Sequence, residues 1–125
     1  MKTIISTKEA PAAIGPYSQA VEINGLIFTS GVIPIVPATG ELVNGGIEEQ
    51  AEQALKNLAA LIGASGASIE NTVKTTVFIK NMDDFAKVNE IYSKYFTSDF
   101  PARSCVEVAR LPKDVLIEVE AIVAK

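Results

Sequence analysis

The last part of the chain, residues 100–121, reads FPARSCVEVARLPKDVLIEVEA and constrains the fold more than any other segment. Its apolar residues predict two strands, at about residues 103–109 and 115–123, joined by a turn around Pro112. Arg103 lies in the first of these strands, which otherwise looks buried, and Glu118 lies in the second. Because a buried charge is costly without a partner, an arginine facing a carboxylate across two strands suggests a site for an anionic ligand.

The rest of the chain alternates between strand and helix patterns. Asn24-Gly25 predicts a hairpin over residues 21–29, because both central residues of a type I′ turn need positive φ. Residues 30–46 contain several Gly and Pro and are predicted as a long ordered loop. Helical spacing of apolar residues predicts one helix at residues 47–62 and another that starts near Asp83 and continues to Phe96. Residues 72–80 alternate as a strand, with Val73 and Val77 on one face.

This order predicts an α+β fold, a mixed sheet with two helices on one face, in a single domain of residues 1–125. Two helices cover only one face of such a sheet. The other face still carries Leu116 and Ile122, opposite Ile117, Val119 and Val123. Hydrophobic residues make up 48% of the chain, which is rich for a small protein. We therefore expect the open face to pack against copies of the same chain.

Composition excludes several classes of function. The net charge is −4, and the 11 Lys and Arg form no cluster, which argues against binding of nucleic acid or of an anionic membrane. Pro34, Pro37 and several glycines break the longest uncharged stretch, so no membrane span is expected. Cys105 is the only cysteine, so a reducing compartment is expected, and the chain is predicted to be cytoplasmic.

The chain contains no histidine, which excludes Ser-His-Asp and Cys-His catalysis. One cysteine and no clustered acids beyond Asp83-Asp84 predict no metal site. Gly45-Gly46 lacks the spacing of a phosphate-binding or dinucleotide-binding loop, and no cofactor is expected. Acid–base chemistry must therefore come from carboxylates, lysines, tyrosines or the backbone.

Arg103 is the strongest candidate because a planar guanidinium offers two parallel donors to a carboxylate. The alternative is an intramolecular salt bridge, for example to Glu107. Glu118 and Glu120 share one face of the last strand, where half-burial raises a carboxyl pKa and suits proton transfer. The alternative for both glutamates is simple solvent exposure.

Other candidates are weaker. Cys105 shares a face with Arg103, but without an activating base it is more simply a buried structural cysteine. Tyr17 follows a Gly-Pro turn and either presents its hydroxyl to a cleft or caps the core. Asn89 lies on the apolar stripe of the second helix, where an amide needs partners. Ser30-Gly31 ends a strand, where a small residue lets a ligand approach the backbone.

Several separate motifs resemble the RidA/YjgF family of reactive-intermediate deaminases. They are APAAIGPYSQAV near the start, TSGVIP, KTTVFIKNMDDFAKVN and the closing PARSCVEVARLPKDVLIEVEA. The resemblance covers nearly the whole chain, and Leu116, in place of a more usual polar residue, is a peripheral departure. It implies a chorismate-mutase-like fold assembled as a homotrimer around a central barrel, with active sites in the clefts between subunits.

The resemblance also implies an activity, the hydrolysis of 2-iminobutanoate and 2-iminopropanoate to 2-keto acids and ammonia. Such imines are released by pyridoxal-phosphate-dependent threonine and serine dehydratases. Arg103 would hold the substrate carboxylate, and Glu118, rather than Glu120, would be the catalytic acid–base. Further pocket positions would be taken by Tyr17, Ser30, Gly31, Asn89 and Cys105. Alternatives are a non-catalytic trimer that senses small carboxylates and a chaperone-like or translation-regulating trimer.

Overall fold

The computed structural model describes residues 1–125 as an α+β fold in which two helices cover one face of a six-stranded sheet. The sheet strands are β1 (Thr3–Ile5), β2 (Ala20–Ile23), β3 (Leu26–Thr29), β6 (Thr72–Ile79), β7 (Ala102–Glu107) and β8 (Ile117–Ala124). Two short strands, β4 (Ile35–Val36) and β5 (Glu41–Leu42), form a separate pair. The helices are α1 (Ile47–Ala64) and α2 (Phe85–Tyr92).

The strand order in the sheet is β1-β2-β3-β8-β6-β7. All neighbours are antiparallel except β6 and β7, which run parallel with α2 between them in the chain. The predicted hairpin is confirmed as β2 and β3, and its turn residues Asn24 and Gly25 have φ of 52° and 77°. The predicted loop at residues 30–46 is ordered but contains the β4–β5 pair.

Helix α1 forms most of the core on one side of the sheet. The N-terminus of α1 is capped by a residue of its own first turn, since the Glu49 carboxylate accepts a hydrogen bond of 2.8 Å from the Gly46 N–H. Leu55 and Leu58 are buried on α1, and they belong to the same core as Val77 of β6 and Val119 of β8. The predicted helix at residues 47–62 is confirmed and continues to Ala64.

Strand β6 differs from its predicted alternation at one residue. The pairing register with β8 shifts between Thr72 and Lys74, which is the signature of a bulge. Val73 is therefore 48% exposed, whereas Thr75 and Val77 are buried under the helices. The prediction that Val73 shares the buried face is wrong because the extra residue changes the phase of the alternation.

Helix α2 is shorter than its predicted stripe. It ends at Tyr92. The chain then continues in a turn, in which the Phe96 N–H donates to the Tyr92 carbonyl. Phe96 is nevertheless buried, and its ring stacks on Tyr92 with centroids 4.5 Å apart. The two aromatic rings thus keep the segment after the helix in the core.

Strand β7 is an edge strand that pairs only with β6. The prediction of a buried strand at residues 103–109 is therefore wrong, because an edge strand has only one neighbour and Val106 is exposed. On the open face of the sheet, Glu118, Glu120 and Ile122 of β8 are half-buried. Leu116 lies just before β8 and packs against the edge of the core. No helix in the structure has both the length and the apolar character needed to cross a bilayer.

A buried amide ties the loop before β4 to α1. Asn57 is 1% exposed, and its Nδ2 donates to the carbonyls of Ile33 and Ile35 at 3.1 and 2.7 Å. Its Oδ1 accepts from Gln53 at 2.8 Å. The Asn57 amide therefore donates to the carbonyls of two buried residues.

We expect Asn57→Leu to lower the free energy of unfolding by about 1–3 kcal/mol, because the carbonyls of Ile33 and Ile35 each lose one hydrogen bond in a buried place. The measurement is urea unfolding at fixed protein concentration. Lys56→Leu, at the exposed neighbouring position, is the matched control and should change stability little. Equal effects of the two substitutions would contradict the role given to Asn57.

Candidate active site

A cleft of about 320 Å³ opens beside Glu118 on the open side of the sheet. It is lined by Ile14, Tyr17, Ser30, Gly31, Ile33, Pro112 and Glu118. Four predicted site residues, Tyr17, Ser30, Gly31 and Glu118, therefore lie together, although they come from three separate parts of the chain.

Gly31 is held directly against the Glu118 side chain. Val32 and Val119 exchange backbone hydrogen bonds of 2.8 and 3.0 Å, which align the chain after β3 with β8. A Cβ at position 31 would lie 2.6 Å from Cδ of Glu118 and would overlap its carboxylate. Gly31 was expected to let a ligand approach the backbone, but within the chain its missing side chain makes room for the glutamate side chain instead.

The other wall of the cleft is the loop before β2. The Ser30 hydroxyl donates to the Ser18 carbonyl at 2.6 Å, and the Tyr17 hydroxyl accepts from the Ile14 N–H at 3.3 Å. Tyr17 is 47% exposed, so it faces the cleft and does not cap the core. Tyr17 thus lines the cleft, while its hydroxyl is bonded to the backbone of the same loop.

Two buried glutamines, Gln19 and Gln50, fix the segments that line the cleft, and neither was a candidate from the sequence. Gln19 accepts from the Thr7 N–H at 2.7 Å and donates to the Pro11 carbonyl at 2.7 Å. Gln50 of α1 accepts from the Leu116 N–H at 2.8 Å, just before β8. Gln50 could have been noticed in the sequence, because it is a polar residue in the apolar stripe of α1, one turn after Ile47. Gln19 could not, because it lies in an irregular segment.

The Glu118 carboxylate forms no hydrogen bond or ion pair within the chain. Burial raises the pKa of Glu118 above the ordinary range, and the nearby charge of Glu120 raises it further. A raised pKa means that Glu118 retains its proton to a higher pH than an exposed glutamate. A carboxyl group with a raised pKa is a stronger base than an exposed one, and it can accept a proton and return it.

Arg103 lies at the opposite side of the sheet. It is paired in register with Thr75 of β6, so its side chain shares the face on which the helices pack. The guanidinium carbon is 4.8 Å from the centroid of the Tyr92 ring and 5.5 Å from that of Phe85. Arg103 takes part in none of the salt bridges.

The proposed alternative, a salt bridge between Arg103 and Glu107, is wrong. The Glu107 carboxylate instead accepts a hydrogen bond of 2.8 Å from the Met82 N–H. It thereby caps the turn that precedes α2, and the Arg103 guanidinium has no carboxylate partner.

The expectation that Arg103 faces Glu118 across two strands is also wrong within one chain. β6 lies between β7 and β8. Arg103 is paired with the buried Thr75, whereas Glu118 is paired with Phe78 on the open face. Since successive side chains of a strand point to opposite faces, the two charges lie on opposite sides of the sheet.

Asn89 and Cys105 lie on the Arg103 side. Cys105 is a free, half-buried thiol; burial raises its pKa, and the Arg103 charge offsets part of this rise. A raised thiol pKa disfavours a thiolate nucleophile. The Asn89 Oδ1 is buried without a partner, and the residue lies about one helical turn from both Phe85 and Tyr92. Its carbonyl oxygen therefore lacks a hydrogen-bond donor within the chain.

The sheet order, the helices on one face and the cleft at Glu118 define the class: a small α+β protein with a carboxylate-bearing cleft on its open face. The family model described as Endoribonuclease L-PSP matches residues 7–125. The chain belongs to this family, which includes proteins of the Rid family.

Relatives in this family carry several names. The 2-iminobutanoate/2-iminopropanoate deaminase of Escherichia coli K12 is 53% identical over 100% of this chain and 99% of its own length. The chain is also 53% identical to a RutC family protein of Pyrococcus abyssi, over 99% of this chain and 98% of the relative.

Solved structures agree in fold. A protein of the conserved Rid family from Yersinia pestis superposes with a TM-score of 0.97 at 50% identity, with complete coverage of both chains. Escherichia coli TdcF with bound serine gives a TM-score of 0.93 at 47% identity over 98% of each chain. The α+β architecture predicted from the sequence is therefore confirmed.

We expect carboxyl-detected NMR titration to give Glu118 a pKa above the range of the exposed glutamates. Glu120→Gln should lower that pKa but not restore the ordinary value, because burial is the larger cause. Glu41→Gln, at an exposed and distant carboxylate, should leave the titration of Glu118 unchanged. A Glu118 that titrates with the exposed glutamates would contradict the described environment.

Proposed function

We propose that the protein hydrolyses small 2-imino acids, such as 2-iminobutanoate and 2-iminopropanoate, to 2-keto acids and ammonia. The observation that carries this proposal is the unpaired, half-buried Glu118 in a cleft with Tyr17, Ser30 and Gly31. The name of the E. coli relative supports the same reaction. The imine would be supplied by pyridoxal-phosphate-dependent threonine or serine dehydratases.

We further propose that the complete site forms between two copies of the chain in a homotrimer with a central barrel. Arg103 and Glu118 lie on opposite faces of one sheet, so one ligand can reach both only if they belong to different copies. The open face carries Phe78 and Ile122, and the β7 edge exposes Val106. Apolar surface of this kind is typical of contacts between subunits.

In the proposed mechanism, Arg103 holds the substrate carboxylate through two parallel N–H donors. Glu118 takes a proton from water as the water oxygen bonds to the imine carbon. With the imine nitrogen protonated, the electron pair of the carbon–nitrogen double bond moves to nitrogen, and the resulting carbinolamine carries a hydroxyl and a neutral amine. Glu118 then gives its proton to the nitrogen. The carbon–nitrogen bond breaks as the carbinolamine hydroxyl returns a proton to the Glu118 carboxylate, which releases ammonia and the 2-keto acid. One carboxylate can carry all three proton transfers.

A small apolar recess supports a short aliphatic substrate. It shares Tyr17, Ser30 and Gly31 with the Glu118 cleft and extends to Leu61. Its free volume is about 30 Å³, somewhat more than the ~10–15 Å³ that admits one water molecule. The recess therefore suits a methyl or methylene group rather than a large side chain.

A trimer that only senses small carboxylates is the second candidate. The serine bound to TdcF supports recognition of small carboxylates in this family. Binding alone requires no proton acceptor, however, and the raised pKa of Glu118 favours catalysis. Cleavage of RNA receives less support, because a net charge of −4 without a basic cluster disfavours phosphate binding.

The proposed reaction predicts that the protein accelerates imine loss when threonine dehydratase generates 2-iminobutanoate in a coupled assay. Arg103→Ala and Glu118→Gln should each reduce this acceleration by about 100-fold or more, because they remove the carboxylate clamp and the base. Glu120→Gln, the matched glutamate on the same strand face, should retain most of it. A fully active Arg103→Ala protein would refute the clamp.

Mixing two inactive variants tests whether the site is shared between copies. Co-refolded Arg103→Ala and Glu118→Gln chains should sediment as trimers and recover about one quarter of the wild-type activity, since random pairing rebuilds that fraction of sites. Arg103→Ala mixed with the Arg103→Ala/Glu118→Gln double variant should recover none. A stable monomer, or no recovery in the first mixture, would overturn the shared site.

A further inference from the structure

The Arg103 side chain is held by aromatic rings instead of by a carboxylate. Its guanidinium lies over Tyr92 and Phe85 of α2, at 4.8 and 5.5 Å from their centroids. Both distances are within the range in which a ring face attracts a cation. No salt bridge competes for its charge.

Thr75 and Phe96 fix the position of the Tyr92 ring. Thr75 is fully buried and pairs in register with Arg103. Its hydroxyl forms a 2.7 Å hydrogen bond with the Tyr92 hydroxyl, and Phe96 stacks against the same ring. Tyr92 is 6% exposed. The neighbour of Arg103 in the sheet thus anchors the ring on which Arg103 lies.

Phe85 forms the outer part of this arrangement. It is the first residue of α2 and is 37% exposed, so its ring contributes little to the core. Its ring does, however, lie beside the guanidinium, with its centroid 5.5 Å from the guanidinium carbon. A substitution at Phe85 can change the surroundings of Arg103 without opening a cavity under the helix.

A guanidinium has two chemically different surfaces. Its flat face attracts aromatic rings, whereas its N–H donors point outward from the edge in the plane of the group. A salt bridge would occupy those edge donors, but ring contacts at the face leave them free. Ring contacts also restrict the motion of the long side chain, and less entropy is then lost when a ligand binds.

We propose that Phe85 and Tyr92 are positioning residues that hold the Arg103 guanidinium by its face and leave its edge donors for the carboxylate of the ligand. This inference rests on the proposed function, which makes Arg103 the carboxylate clamp. It adds that affinity for a carboxylate depends on an aromatic side chain at position 85. The rings act on binding through Arg103 and not on the proton transfers at Glu118.

The test compares Phe85→Leu with Phe85→Tyr in the full-length protein. Phe85→Leu should raise KM in the coupled dehydratase assay, and Kd for 2-ketobutyrate by calorimetry, by about three- to tenfold. Its kcat should stay within about twofold of wild type, because Glu118 is untouched. Phe85→Tyr keeps an aromatic face and should restore both constants.

A second readout needs neither activity nor ligand. NMR relaxation of the Arg103 side-chain Nε–H should show an ordered guanidinium in the wild type and in Phe85→Tyr, and a more mobile one in Phe85→Leu. Unchanged Arg103 order in Phe85→Leu would overturn the proposal. An unchanged Kd of Phe85→Leu for 2-ketobutyrate would also overturn the proposal, provided that Arg103→Ala no longer binds 2-ketobutyrate. The proposed function would still stand after that result.

The opposite pair of results would also separate the proposed function from the proposed aromatic support of Arg103. A wild type that neither binds 2-ketobutyrate nor hydrolyses the imine, with an Arg103 whose order still depends on the ring at position 85, would refute the proposed function alone. The aromatic support of Arg103 would be upheld by that result.

Discussion

The two-residue alternation of β8 under helix α1 is the constraint on which the rest of the structure depends. Ile117 and Val119 are buried against the helices, so Glu118 between them must point to the open face. The backbone hydrogen bonds between Val119 and Val32 then bring Gly31 against that glutamate. The core packing of one strand therefore determines where the cleft lies.

The same alternation places Arg103 on the other face and keeps the two charges apart. If they met within one chain, they would neutralise each other and leave neither group free for a ligand. Each charge is instead accommodated separately. The Glu118 carboxylate is only half-buried, and its pKa rises because burial disfavours the charged form. The Arg103 guanidinium lies over two aromatic rings. Separation within the chain keeps both groups unpaired, as the proposed site between two copies requires.

Features with a local signal could be predicted from the sequence. The Asn24-Gly25 turn, the apolar stripe of α1 and the alternation of β8 each depend on residues close together in the chain. The bulge near Val73 and the edge position of β7 depend on strand order and register, which no local pattern encodes. The expected Arg103–Glu118 pairing failed for that reason. The grouping of Tyr17 with Glu118 came from family resemblance, since their separation in sequence has no periodic signal.

Relatives that share this fold carry the names deaminase, RutC family protein and Rid protein, and a fold by itself does not decide between reactions. The local chemistry discriminates better. Gln19 and Gln50 tie the segments around the cleft to the core, so the walls are in place before a ligand arrives. A preorganised site needs little further machinery when the substrate carbon is already electrophilic. In the proposed reaction, one proton acceptor at Glu118 and one fixed cation at Arg103 would suffice for hydrolysis of an imine, and a chain without histidine supplies both.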